Sequence, residues 1–131
     1  MRNIRIVHTV ILVFSLSFVS VVIAAPQANP AGKHICREAP GPEDTLQFKL
    51  TLVQDGRLKG SGSFSGARGI LYFKNGSWRL KEGRIYAELI LVGSMSSGTK
   101  MEKARREVKF DFMLSELLSS QGCFEPKIGN P

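Results

Sequence analysis

The sequence predicts an all-β domain with room for one short helix, arranged as a small antiparallel meander barrel of about six to eight strands. Three observations lead there. Apolar and polar residues alternate from Leu46 onward, turn-forming residues recur at hairpin spacing between Gln54 and Gly83, and the two cysteines, Cys36 and Cys123, flank the patterned region. The pattern leaves open whether the strands close on themselves or stack as a sandwich.

The ends of the chain bound that domain. Arg2 and Arg5 precede a run from Ile6 to Ala25 in which His8 is the only titratable side chain. A basic start, an apolar body and small residues at its close are the three parts of a cleavable secretory signal. A membrane anchor of similar length fits less well, because Thr9, Ser15, Ser17 and Ser20 interrupt the run and it closes on Ala24-Ala25. Pro26 disfavours cleavage after Ala25, so the signal is expected to span residues 1–24. Cys36 lies too far beyond the apolar run to be a lipoprotein cysteine, and no lipid anchor or mature transmembrane segment is expected. Residues 25–44, which carry Pro26, Pro30, Pro40 and Pro42, read as an irregular Pro/Gly-rich leader. Residues 45–124 read as the barrel-like domain, and residues 125–131, with Pro126 and Pro131, as a tail.

Loss of the signal removes two of the 18 basic residues and none of the 11 acidic ones, leaving a formal charge of +5. A domain of about 100 residues buries a modest core. Its basicity favours acidic partners and has no bearing on fold. Export predicts a secreted or periplasmic location, where Cys36 and Cys123 are expected to be bonded. The competing use of Cys36, a His34-x-Cys36 metal site, lacks further ligands because the chain left after removal of the signal holds no histidine other than His34.

Within the domain, Leu46, Phe48, Leu50 and Leu52 alternate with Gln47, Lys49 and Thr51, a half-buried strand. Arg57 to Phe64 form the next, across Gln54-Asp55-Gly56. A two-residue turn at Asp55-Gly56 would set Leu52 against Lys59 and mix core with solvent faces. A three-residue turn with Gly56 left-handed sets Leu52 against Leu58, Leu50 against Gly60 and Phe48 against Gly62, and is the register expected. Asn75-Gly76 reads as a type I′ hairpin turn between Ile70–Lys74 and Ser77–Leu80, pairing Phe73 with Trp78 and Leu71 with Leu80. Across Lys81-Glu82-Gly83-Arg84 the pattern pairs Leu80 with Ile85 and Trp78 with Ala87, so Trp78 is expected to be buried. Five strands result, ended by the Ser/Gly-rich stretch Gly93–Gly98. Residues 107–121 fit two patterns. Val108, Phe110, Phe112 and Leu114 alternate as a strand would, whereas Phe110, Met113, Leu114, Leu117 and Leu118 fit helical spacing, and Thr99 to Glu102 could cap a helix. A strand from Glu107 to Leu114 is expected, followed by a short helix or last strand before Cys123.

Chemistry has little to draw on. No serine or cysteine nucleophile stands in a motif with a base, and no phosphate loop or metal spacing is present. The carboxylates available are chiefly Glu88, Asp111 and Glu116, and Glu88, on the face opposite Leu89 and Leu91, reads as a solvated charge. No enzymatic activity, metal or cofactor is therefore expected. Two segments remain as binding candidates. Lys100, Lys103, Arg105 and Arg106 put four cations beside the flexible-looking Gly93–Gly98 stretch, with Glu102 and Glu107 nearby, and suit an acidic protein, polysaccharide or envelope surface. Most aromatics fall on the core face and only Tyr72 and Tyr86 look free to stack, so no specific nucleic-acid surface is indicated.

The other candidate is Ser65-Gly66-Ala67-Arg68-Gly69. It resembles the Ser-Gly-x-Arg-Tyr loop of the periplasmic inhibitors of c-type lysozymes, with Gly69 at the place of the tyrosine. That resemblance implies a small, exported, disulfide-tied β-barrel whose loop, through Ser65, Gly66 and Arg68, enters an enzyme cleft. The leading expectation from the sequence is an exported, non-enzymatic binding protein that recognises its partner through loops. An inhibitor of a secreted hydrolase and an envelope-associated structural subunit are the alternatives. The pattern does not encode an oligomeric state.

Overall fold

The computed structural model describes residues 28–38 and 45–129. The expected signal at residues 1–24 lies outside the described residues, as do Pro40, Pro42 and the ends of the leader and tail. The elements are β1 (His34–Arg37), β2 (Thr45–Leu52), β3 (Arg57–Gly66), β4 (Gly69–Lys81), β5 (Arg84–Ser97), β6 (Lys100–Met113), α1 (Leu114–Ser119) and β7 (Cys123–Phe124). The seven strands make one sheet in the order β6-β5-β4-β3-β2-β1-β7. All neighbours are antiparallel except β1 and β7, which run parallel. The protein is thus all-β with one short helix, as the alternation predicts.

The β2–β3 hairpin has the expected register, Leu52 facing Leu58, Leu50 facing Gly60 and Phe48 facing Gly62. Gly56 takes φ 88°, a left-handed value that glycine adopts without steric cost. Asp55 locks the same turn, accepting the Arg57 backbone N–H at 3.0 Å and pairing with its guanidinium. That backbone donor, with the guanidinium, holds the Asp55 carboxyl below its ordinary range.

Asn75-Gly76 is not a turn. It lies inside β4, and the expected pairs Phe73–Trp78 and Leu71–Leu80 do not form. Leu71 faces Gly93 and Phe73 faces Leu91, and after a bulge Asn75 faces Ile90 and Gly76 faces Leu89. A bulge inserts one residue and reverses which parity points inward. It therefore explains why Leu71 and Phe73 are odd-numbered while Trp78 and Leu80 are even. The left-handed pair that a type I′ turn requires sits instead at Glu82 (φ 52°) and Gly83 (φ 75°). Beyond it Leu80 faces Ile85 and Trp78 faces Ala87, as expected.

The expected break at Gly93–Gly98 is also absent. β5 continues to Ser97, paired with β4 as far as Gly69↔Met95 and with β6 as far as Ser97↔Lys100, and only Gly98-Thr99 forms the turn. Thr99 to Glu102 accordingly caps no helix. The ambiguity over residues 107–121 resolves as both patterns in succession, Val108 to Phe112 on β6 and Leu114 to Leu118 on α1.

Ile35, Leu46, Leu50, Leu52, Ile85, Leu89, Leu91 and Leu117 are fully buried in one core. Elements from both ends of the sheet share it, because the sheet is rolled. Phe48 of β2 stacks on Phe110 of β6 with centroids 5.7 Å apart, and Phe112 meets Phe124 of β7 at 5.1 Å. The roll stops short of the closed barrel expected. β6 and β7 do not pair, since β7 is two residues long and is soon followed by Pro126, which has no N–H to extend a ladder. Side chains meet beneath the opening, and α1 adds Leu117 to the same core.

Cys36 of β1 is bonded to Cys123 of β7. The leader therefore contains a strand where irregular chain is expected, and Cys36 is not free for a metal. His34 bonds the Thr51 hydroxyl through Nδ1 at 2.8 Å. Trp78 is half-buried, not buried: its ring packs against the core edge while its indole N–H donates to the Val53 carbonyl at 2.8 Å. No helix of the described residues is long and apolar enough to cross a membrane.

Candidate binding surface

The fold brings together two segments that are far apart in sequence. β3 and β4 are joined by Ala67-Arg68, and Gly69 faces Met95, which in turn faces Glu102. The Ser96 N–H donates to the Arg68 carbonyl at 2.7 Å. The Ser65–Gly69 tip is thus held against β5, and the β5–β6 turn extends beyond it. Arg68, Lys100 and Lys103 are exposed at this one end of the sheet.

Strand alternation decides where each cation points. The four cations expected beside a flexible stretch lie on a paired strand that continues from a paired β5, and they divide between its two faces. Lys103 and Arg105 share the outer face with exposed Met101, Lys109 and Asp111, whereas Lys100 and Arg106 follow the parity of the buried Val108, Phe110 and Phe112. Arg106 is half-buried, with its guanidinium 4.3 Å from the centre of the Phe64 ring. Stacking of this kind offsets the desolvation of a cation, so Arg106 acts partly as a core-edge residue. Arg105 pairs with Glu107 at 3.2 Å, both side chains exposed, an arrangement worth little to stability.

The outer face also carries an apolar strip that the sequence pattern only partly signalled. Tyr72 is 60% exposed and Ile70 43%, with the half-buried Val92 facing Tyr72 across the β4–β5 pair. Ser65 faces Ile70, and Val92 faces Arg105. The strip therefore borders both candidate segments. Tyr86, the other aromatic expected to be free, is engaged by Arg79, whose guanidinium lies 5.0 Å from its ring centre. Beside that pair a shallow groove of about 360 Å³ is lined by Glu88, Lys109 and Asp111 among others. Asp111 is bonded to Arg84 at 2.6 Å. Glu116 stands exposed in the first turn of α1. Among the described residues no three His, Cys, Asp or Glu side chains are placed to hold a metal ion.

Gly69 departs from the lysozyme-inhibitor loop for a structural reason. Its φ is 153°, and a Cβ there would collide with the Ser94 carbonyl oxygen of the adjoining strand. A tyrosine cannot occupy this backbone, so the aromatic that the resemblance calls for has no place at position 69. Compared with models of known protein families, with curated proteins and with solved structures, the chain matches none.

Proposed function

We propose that this chain is exported and acts as a non-enzymatic binding protein, holding an acidic protein, polysaccharide or envelope surface at the end of its sheet formed by the β3–β4 and β5–β6 turns. The observation that carries this reading is the hydrogen bond from Ser96 to Arg68. It adds Arg68 to Lys100, Lys103 and Arg105, with only Glu102 and Glu107 as counter-charges on that stretch of β6. At physiological salt the screening length is about 8 Å, so charges gathered within that distance act jointly on a close anionic surface. Isolated ones do not. The Cys36–Cys123 bond fits an oxidising location, in keeping with export.

The test is elution from heparin, an acidic polysaccharide. Replacing Arg68, Lys100 and Lys103 together by glutamine should lower the eluting salt concentration well below that of a control triple at Lys49, Lys59 and Lys81. All six side chains are exposed, so both variants should melt like the parent. Equal shifts for the two triples would show that only net charge matters and would remove the site.

A further inference from the structure

We propose that β6 is the seam of a symmetric homodimer, in which β6 of a second copy of this chain pairs antiparallel with it about a two-fold axis at Val108. β6 spans Lys100–Met113 and is the last strand of its sheet. Its free edge can be assigned residue by residue. The Leu114 N–H donates to the Gly83 carbonyl at 2.9 Å, and in an antiparallel pair that orientation repeats every second residue. The even-numbered residues of β6 thus turn their backbone groups toward β5, and the odd-numbered ones from Met101 to Met113 turn theirs outward. Every one of those odd-numbered side chains is exposed, and among the described residues no strand pairs with this edge.

Charges are a common device for blunting an exposed edge. That accounts for their presence on β6 but not for the order of their signs. With the axis at Val108, Glu107 lies opposite the second copy's Lys109 and Arg105 opposite its Asp111, and symmetry repeats both pairs. Lys103 meets Met113, Val108 meets Val108, and Arg106 lies beside Phe110. These odd-numbered pairs are the ones whose backbone N–H and C=O groups are free, so one register satisfies the ladder and the charges together. Neighbouring registers bring like charges together or lose overlap. An axis at Glu107 sets that residue against itself and Arg105 against Lys109. At Lys109 it sets Glu107 against Asp111, and at Arg106 it sets Lys103 against Lys109. An axis at Phe110 shortens the overlap and leaves Glu107 facing Met113.

The ion pairs already present suit the dimer. Asp111, held by Arg84 at 2.6 Å from β5, would receive the second copy's Arg105 from the opposite side, a strand spacing of about 4.8 Å away. Arg68 and Lys100 lie beyond the overlap, whereas Lys103 and Arg105 belong to both surfaces. The heparin variants change Arg68, Lys100 and Lys103 and the association variants change Glu107 and Lys109, so failure of one reading is distinguishable from failure of the other.

Sedimentation equilibrium of the disulfide-bonded protein tests the pairing, at concentrations up to roughly 100 µM to reach weak association. The parent should sediment at twice its chain mass. Glu107→Lys and Lys109→Glu each turn two attractive pairs into repulsive ones, and each should weaken association at least about tenfold, although they change net charge in opposite directions. The double exchange Glu107→Lys/Lys109→Glu keeps the parent's net charge, restores the opposite-sign pairing of positions 107 and 109 in this register, and should restore the dimer. Thermal melts of all four proteins check that the exposed substitutions leave the fold intact. A parent that stays monomeric throughout, single variants that associate as well as the parent, or a folded double exchange that remains monomeric would each overturn the proposal.

Discussion

Replacing Cys36 and Cys123 together by alanine is expected to lower the unfolding free energy by about 4 to 5 kcal/mol. The bridged residues are 87 positions apart in sequence, and the chain-entropy model attributes most of a disulfide's effect to the conformational freedom withheld from the unfolded chain, which grows with loop length. A domain of this size is stable by only about 5 to 15 kcal/mol, so much of its margin depends on one bond. The native structure supplies a second contribution. β7 contributes only Cys123 and Phe124, paired with His34 and Ile35 of β1, a ladder too short to be stable alone. Without the bridge, β7 and the Phe124 ring that covers Phe112 lose their anchor. Urea unfolding of the parent and the double alanine variant checks this. The midpoint should fall, and the denaturant dependence should steepen because the unbridged chain unfolds to a more expanded ensemble. A loss below about 1 kcal/mol would show that the sheet holds β1 and β7 without covalent help.

Local rules predicted what local chemistry decides. The β2–β3 hairpin was legible because Leu46 to Leu52 alternate strictly and Gly56 supplies the left-handed turn residue. The Glu82-Gly83 turn and its two cross-strand pairs were legible for the same reason. Asn75-Gly76 was misread because a hairpin and a bulge change the inward parity in the same way. The choice between them lies in the pairing of Phe73 with Leu91 and of Asn75 with Ile90, partners that the local sequence does not reveal. Gly93 to Ser97 are poor strand formers by propensity, yet they are paired on one or both sides by β4 and β6, and tertiary context prevails. The candidate surface follows the same division. The cations were visible as residues, but their directions depend on β6 being a strand, and the approach of Arg68 to Ser96 depends on a pairing across nearly thirty residues of chain.

Phe110→Ala is expected to cost about 3 to 5 kcal/mol, because the rolled sheet is held across its open side by side chains alone. Phe110 is only 7% exposed. It stacks on Phe48 at 5.7 Å on one side and on Phe112 at 6.1 Å on the other, and Phe112 in turn reaches Phe124 at 5.1 Å. These four rings connect β2, β6 and β7, where no strand-to-strand ladder completes the circuit. Truncation forfeits the transfer energy of the ring and leaves a cavity that the rigid flanking strands cannot collapse. Two offset aromatic contacts are lost as well, each worth about 0.5 to 1.5 kcal/mol beyond area burial. Phe110→Leu should cost clearly less, since it keeps most of the volume. A double-mutant cycle with Phe48→Leu distinguishes stacking across the gap from simple burial: coupling of about 0.5 kcal/mol or more between the two positions is expected. Strictly additive losses would mean that the rings fill space independently, and the roll would then have to be credited to the twist of the strands and to α1, whose Leu117 is fully buried in the same core.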